Sequence, residues 1–399
     1  MASTRKGVWD LQEVRDKYLQ SLWANNNTLF VWGTGSGGRL GVGNKVGGGG
    51  DQSYSSPIQL PGEWSVVACN SNSSAGVKGD GTLWTWGYGE HGNLGHNQPS
   101  DTNVVSPKQV GTNTNWSYVS ACVDSTGAIN ASGEMYTWGL NNQGMLGHNN
   151  QTKYSSPVQV PGTTWAEIAF GGGANGIYRK TDGTLWTCGA NNDGQLGQNN
   201  ETAYSSPKQV GTQTNWTQIS TGIKQVWGLT NPGALYVWGE QIDGNMGFNN
   251  PGGKYSSPKQ LPGSWKSISG SKSCAWGIKT DGTLWSWGQN NEGQLGLNGG
   301  GSGSSPRQVG SDTNGEVVEG PRGIGVGDDP CVMAVKTDGT LWTWGYADNL
   351  GLGHNAPPSK YSSPTQVGAS TKWSTNRDEM SCGKWAMFAI EKALTPSQL

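Results

Sequence analysis

The sequence predicts an all-β fold: a seven-bladed β-propeller closed by both chain termini, with a short N-terminal helical arm. Three observations predict it. A strand motif typified by Thr82–Gly87, TLWTWG, recurs with its closing glycine at Gly33, Gly87, Gly139, Gly189, Gly239, Gly288 and Gly345. These glycines lie 49 to 57 residues apart, and a period near 50 marks a solenoid, a propeller or an array. The composition agrees: the 399 residues include 66 Gly and 21 Trp but only 14% charged residues, so the chain folds on large aromatics and turns rather than on long aliphatic helices. Finally, each end of the chain carries only part of a repeat.

Each repeat reads as four short strands. The first is a short strand such as Gly277-Ile278-Lys279. A tight turn follows at Asp281-Gly282, where glycine accepts φ > 0. The second strand, Leu284–Trp287, alternates large aromatics with Thr or Ser and so has two unlike faces. A Gly-rich corner such as Gly293–Gly296 and a polar loop lead to Ser-Ser-Pro-x-Gln-Val, as at Ser205–Val210, with proline tolerated at a strand start. The last strand begins near Trp216. Four strands per repeat make one propeller blade. The first copy, at Thr28–Gly33, lacks a full Trp strand before it, and the last Trp strand, at Trp373, is followed by residues 381–390 without another TLWTWG. One blade is therefore expected from both ends, which pairs edge strands that would otherwise be exposed.

The pattern TDGTLWTWG-x-N-x-x-G-Q-L-G with SSP-x-QV strongly resembles the RCC1 repeat, a seven-bladed propeller family named after a chromatin-associated guanine-nucleotide exchange factor. The resemblance covers about residues 24–390. The expected domains are an arm at 1–23, the propeller at 24–390 and a tail at 391–399. In the arm, Leu11, Val14, Tyr18 and Leu22 recur at helical spacing, flanked by Trp9 and Trp23, and Asp10 is a plausible N-cap. These six apolar residues, from Trp9 to Trp23, are candidates for partner binding.

Composition narrows the function. A net charge of −2 lacks the footprint of a nucleic-acid-binding domain. There is no apolar run of 18 residues and no signal-peptide core, so neither membrane insertion nor export is expected. The six cysteines are spread singly and read as reduced core residues. Gly33–Gly38 matches GxGxxG but is a repeat corner, without the helix a dinucleotide site needs. His96, His148 and His354 share one repeat position and read as structural rather than as members of a triad. Asp80, Asp182, Asp281 and Asp338 read as turn formers. Asp312, Glu316, Glu319, Asp328 and Asp329 offer oxygens for calcium but lack any known spacing. No catalytic residue, metal ligand or cofactor is expected. Trp227 and Trp276, at one offset in adjacent repeats, are core residues or a surface pair able to stack on a sugar.

Residues 7–14, GVWDLQEV, also resemble segments of marine phage fibre and tail-associated proteins. With the Asn-, Gly-, Ser- and Thr-rich blades, the chain looks like RCC1-like virion proteins of cyanophage type. That resemblance implies a non-enzymatic virion structural protein of tail, fibre or capsid. Its partners would be other virion proteins and a host-surface receptor or glycan, and its location the virion, with the cytoplasm as the alternative. The second reading is a bacterial RCC1-like protein-binding or inhibitor propeller. A third, guanine-nucleotide exchange, is disfavoured. The exchange-factor family usually has His at the positions of Ser73, Ser125, Asn175, Gln225, Cys274, Cys331 and Ala386, and the basic tail is missing.

Overall fold

The structure, a computed structural model, describes residues 27–43, 52–98, 103–250, 252–299, 301–319, 331–346, 351–355 and 360–393. In chain order the strands are β1 (Thr28–Gly33), β2 (Tyr54–Cys69), β3 (Ser73–Lys78), β4 (Leu83–Gly87) and β5 (Val104–Gln109). Then come β6 (Trp116–Ala121), β7 (Ser125–Asn130), β8 (Met135–Gly139) and β9 (Tyr154–Gln159), followed by β10 (Trp165–Gly171), β11 (Asn175–Lys180), β12 (Leu185–Gly189) and β13 (Tyr204–Gln209). The next two groups are β14 (Trp216–Thr221), β15 (Gln225–Thr230), β16 (Ala234–Ile242) and β17 (Gly252–Leu261), then β18 (Trp265–Gly270), β19 (Cys274–Lys279), β20 (Leu284–Gly288) and β21 (Gly303–Gln308). The chain ends with β22 (Gly315–Glu319), β23 (Cys331–Lys336), β24 (Leu341–Tyr346), β25 (Lys360–Gln366), β26 (Met380–Cys382) and β27 (Ala386–Glu391).

Five sheets have four antiparallel strands each, in chain order, and a sixth has seven, in the order β26-β27-β1-β2-β3-β4-β5. The innermost strands β26, β2, β6, β10, β14, β18 and β22 pack each against the next, and β26 also packs on β22. The result is a propeller-like arrangement of sheets.

The expected architecture is corrected on two points. The described residues contain no α-helix, only two three-residue 3-10 turns at Ser36–Gly38 and Arg377–Glu379. The helical arm, with Trp9, Leu11, Val14, Tyr18, Leu22 and Trp23, lies outside the described residues. Nor are there seven discrete sheets closed by the termini, because every sheet is open with two edges. The sixth sheet is double because β2 runs on for 16 residues. The pairing of Thr28 with Glu63 carries its ladder past Pro61-Gly62, and Trp64 then pairs with Lys78 on β3. Within this sheet β27 pairs with β1 from Thr28↔Glu391 to Gly33↔Ala386.

Neighbouring units are clasped by tryptophan. The indole Nε1 of Trp86 donates to Arg39 O (2.9 Å), that of Trp138 to Asn93 O (2.8 Å), that of Trp238 to Gln195 O (3.0 Å), that of Trp287 to Asn245 O (2.7 Å) and that of Trp344 to Gln294 O (2.9 Å). Trp32 does the same to Gly351 O at 2.9 Å. Each indole is fully buried, so it combines roughly 150–250 Å² of apolar burial with a satisfied donor. The corner must come close to receive it. Gly95 has φ +75°, and a Cβ there would lie 2.8 Å from Trp138 Nε1, so only glycine fits.

The seventh clasp departs from this pattern. At Cys188 the acceptor is Met145 O, 3.4 Å from the sulfur, and the Tyr178 hydroxyl donates to the same carbonyl at 2.5 Å. Tyr178 stands where Gly76, Gly228 and Gly277 stand on β3, β15 and β19, opposite the same strand position. The phenol thus occupies indole space and adds a strong donor beside the weak one of the thiol.

Candidate functional site at the inner mouth

Six inner strands, β2, β6, β10, β14, β18 and β22, carry the same irregularity where their pairing with the next strand starts: two of their residues oppose one on that strand. Such bulges re-aim side chains. The second residue turns outward, leaving Ser117, Thr217 and Lys266 exposed. The third turns toward the next unit. Tyr118 Oη donates to Ile168 O (3.2 Å), Ile219 N donates to Glu167 Oε1 (3.3 Å), and Gln218 and Ile268 exchange two hydrogen bonds at 3.1 and 3.3 Å. Side chains therefore lace consecutive inner strands together.

A cavity of about 340 Å³ opens at this mouth, with Glu167, Arg179, Gln218, Glu316, Arg377 and Asp378 among its lining residues. Glu167 is buried at 7% exposure and is bracketed by two cations, Arg179 Nε at 2.9 Å and Arg377 Nη1 at 3.2 Å. Arg377 also donates to Ile219 O at 2.9 Å. It sits on a short 3-10 turn whose Asn376 side chain accepts from Asp378 N. Lys266 pairs with Glu316 at 2.7 Å on the rim. This is a preorganised polar surface whose buried carboxylate is already matched by charge.

The remaining titratable groups serve the scaffold. His96, His148 and His354 place Nε2 within 3.0, 2.9 and 2.9 Å of Thr85, Thr137 and Thr343 Oγ1. Burial pushes all three below their ordinary value, His96 to about 4, with Lys108 adding to its fall. Burial pushes the Cys122 and Cys188 thiols up to about 12, far from the thiolate a nucleophile needs. All six cysteines are buried thiols. Asp80, Asp182, Asp281 and Asp338 each accept from a Thr hydroxyl two residues on, at 2.6–2.7 Å, which holds their carboxyls low. Among the described residues no cluster of His, Cys, Asp and Glu could hold a metal ion. Of the acidic set, Asp312 and Glu316 pair with lysines, while Asp328 and Asp329 lie outside the described residues. No described helix is long and apolar enough to cross a membrane.

Trp227 and Trp276 are corrected as a surface pair, since both are fully buried. Trp276 Nε1 donates to Gln294 O at 2.8 Å. Trp227 closes on Gly270, where a Cβ would fall 2.2 Å from its ring. Neither ring has a face open to a sugar. Sequence reasoning missed Glu167 and Arg377 as site residues. The Trp-x-polar start shared by β6, β10, β14 and β18 was the available signal for Glu167.

The profile of the Regulator of chromosome condensation (RCC1) repeat matches residues 80–129, 132–175, 182–226 and 281–321. The chain is 31% identical over 134 residues to the Ultraviolet-B receptor UVR8 of Arabidopsis thaliana, covering 33% of this chain and 30% of that protein. It is 36% identical over 119 residues to the RCC1 domain-containing protein RUG3, mitochondrial, of the same plant, covering 28% and 24%. The matches thus span less than a third of these relatives. Among solved structures, human WBSCR16 superposes with a TM-score of 0.77 at 18% identity, over 92% of this chain and 100% of that one. Yeast RCC1 (Prp20), bound to Kap60, superposes with a TM-score of 0.77 at 19% identity, over 94% and 90%. Prp20p of Saccharomyces cerevisiae, described with its binding to Gsp1p and histones, gives 0.76 at 19%, over 94% and 93%. The fold is therefore that of RCC1-repeat, seven-bladed propellers. The virion reading is overturned: these similar proteins come from Arabidopsis thaliana, yeast and human, and the partners named for the yeast protein are Kap60, Gsp1p and histones. The expected virion partners, host receptor or glycan, and virion location fall with it.

Proposed function

We propose that this chain is a non-catalytic protein-binding propeller that receives its partner at the inner mouth, with residues 24–390 as the binding unit, 1–23 as an arm and 391–399 as a tail. One observation carries the reading. The bulges present exposed Ser117, Thr217 and Lys266 around a mouth whose buried charge is already paired. Such a surface gives electrostatic complementarity without asking a partner to neutralise a buried ion. The partners of the yeast propeller, Kap60 and Gsp1p, support protein recognition by this fold.

The test is quantitative partner capture from extract of the source cells, comparing wild type with Thr217→Arg/Lys266→Glu. Both positions are exposed, and loss of the Lys266–Glu316 surface pair costs about 1 kcal/mol or less, so the variant should stay folded. A protein retained by the wild type and lost from the variant supports the mouth as the interface. Equal retention by both overturns it. Purified Gsp1p, assayed for nucleotide release, separates general binding from exchange.

A further inference from the structure

One inner strand lacks its first tryptophan. Trp64, Trp116, Trp165, Trp216 and Trp265 pair with Lys78, Asn130, Lys180, Thr230 and Lys279 at the start of their ladders. At the same register on β22 stands Gly315, paired with Lys336. Elsewhere the indole fills the wedge between two units. Trp265 lies 5.5 Å from Trp287, centroid to centroid, and its ring rests on Gly277, where a Cβ would fall 2.7 Å from Cζ3. On β23 the position matching Gly277 is Ala334, as it is Ala128 on β7.

The groove between units, about 400 Å³ where Trp216 is present, widens beside Gly315 to a cavity of about 520 Å³, lined by Ile278, Leu284, Val309, Ala334, Lys336 and Trp344 among others. That volume is in the range of small-ligand sites. Its electrostatics are those of an interrupted sandwich. Lys78 Nζ lies over both Trp64 and Trp84, at 5.2 and 3.7 Å, and Lys279 over Trp265 and Trp285, at 5.6 and 3.5 Å. Lys336 Nζ lies over Trp342 at 4.1 Å, and with Gly315 the second indole is missing. Asn314 Oδ1, also at the cavity, is buried without a hydrogen-bond partner among the described residues, an acceptor for a ring N–H.

We propose that this cavity binds a planar aromatic ring of indole size bearing an N–H donor, which stacks beside Trp344, completes the cation–π sandwich on Lys336 and donates to Asn314. The geometry is that of a deleted side chain whose place a free ligand can take, as apolar rings enter engineered cavities. The ring can arrive as a small molecule or as a tryptophan side chain, and the recognising chemistry is the same. The proposal is independent of the inner mouth.

The experiment is titration of the full chain with indole, followed by calorimetry and thermal melting. The expected result is saturable binding with a raised melting temperature. Gly315→Trp and Ala334→Leu should each weaken indole binding by about tenfold or more, since either fills the site. Two filling variants are needed because a Cβ at 315 would lie 2.9 Å from Gly282 O; circular dichroism checks that each is folded. Lys336→Met should weaken binding while leaving the cavity open. N-acetyltryptophanamide distinguishes the sources: displacement of indole assigns the ring to a polypeptide, and failure to displace it assigns a small molecule. Absence of saturable binding, or binding unchanged in a folded filling variant, overturns the proposal.

Discussion

Arg377 Nη1 lies 3.2 Å from Glu167 Oε1, although 210 residues separate the two. The contact joins the 3-10 turn at Arg377–Glu379 to the inner strand β10, across the mouth. Glu167 also holds Arg179, so its removal strands two guanidinium groups. Glu167→Ala should cost about 3 kcal/mol in urea unfolding, in the range for breaking a buried pair. A cost below about 0.5 kcal/mol would place the pair among ordinary surface pairs.

The three histidines should make stability depend on pH. Their pKa values are lowered in the fold, so the unfolded chain binds more protons as pH falls. Their contribution is complete above the ordinary value of 6.5 and is lost progressively as pH drops toward 4, where His96 titrates in the fold. The melting temperature should fall across that window. Replacing all three with Gln, the residue already at 198 and bonded to Thr187, should flatten the curve there. The lowered carboxyls of Asp80, Asp182, Asp281 and Asp338 act in a separate window, below 3.8. A triple variant with unchanged slope between 6.5 and 4 would count against the histidines.

Tyr178 and Cys188 should behave as a coupled pair. Cys188→Trp inserts an indole where the phenol already sits and should cost about 1–3 kcal/mol through overpacking. Adding Tyr178→Gly restores the arrangement of β19 and β20 and should recover most of that loss. Additive losses in the double variant would show that the two side chains do not share the space. Native Cys188 should also resist thiol reagents, since it is buried.

Truncation from Ser381 removes β27 and with it the partner of β1. The bare edge of β1 should promote aggregation or abolish cooperative melting. A soluble truncated chain with unchanged melting temperature is the contrary result.

The repeat units were legible in sequence because periodic Trp, Asp-Gly and corner glycines are local signals. The Asp182–Thr184–Trp186 chain of hydrogen bonds spans only five residues. The inner mouth was much less legible, because Arg377 belongs to no repeat and meets Glu167 only after the chain has gone round. Trp227 and Trp276 show the opposite problem: chemistry suggested a platform, but Gly270 and the Gln294 carbonyl draw the rings into the core. The merged sheet depends on the single pairing of Thr28 with Glu63, which composition does not announce. Gly315 was readable as the break in a series of strand-initiating tryptophans, but its meaning required the register with Lys336.

The pairing of Thr28 with Glu391 has a mechanical consequence. The outer ends of β1 and β27 leave the sheet side by side. A force that pulls residues 28 and 391 apart therefore acts at one end of the ladder and peels its hydrogen bonds in sequence, rather than shearing them together. Held at these two points in an optical trap, the chain should yield first at this seam and at low force. Handles at residues 116 and 265, which lie on separate sheets, would load the packed faces between them and should meet greater resistance, with rates governed by unfolding kinetics rather than by equilibrium stability.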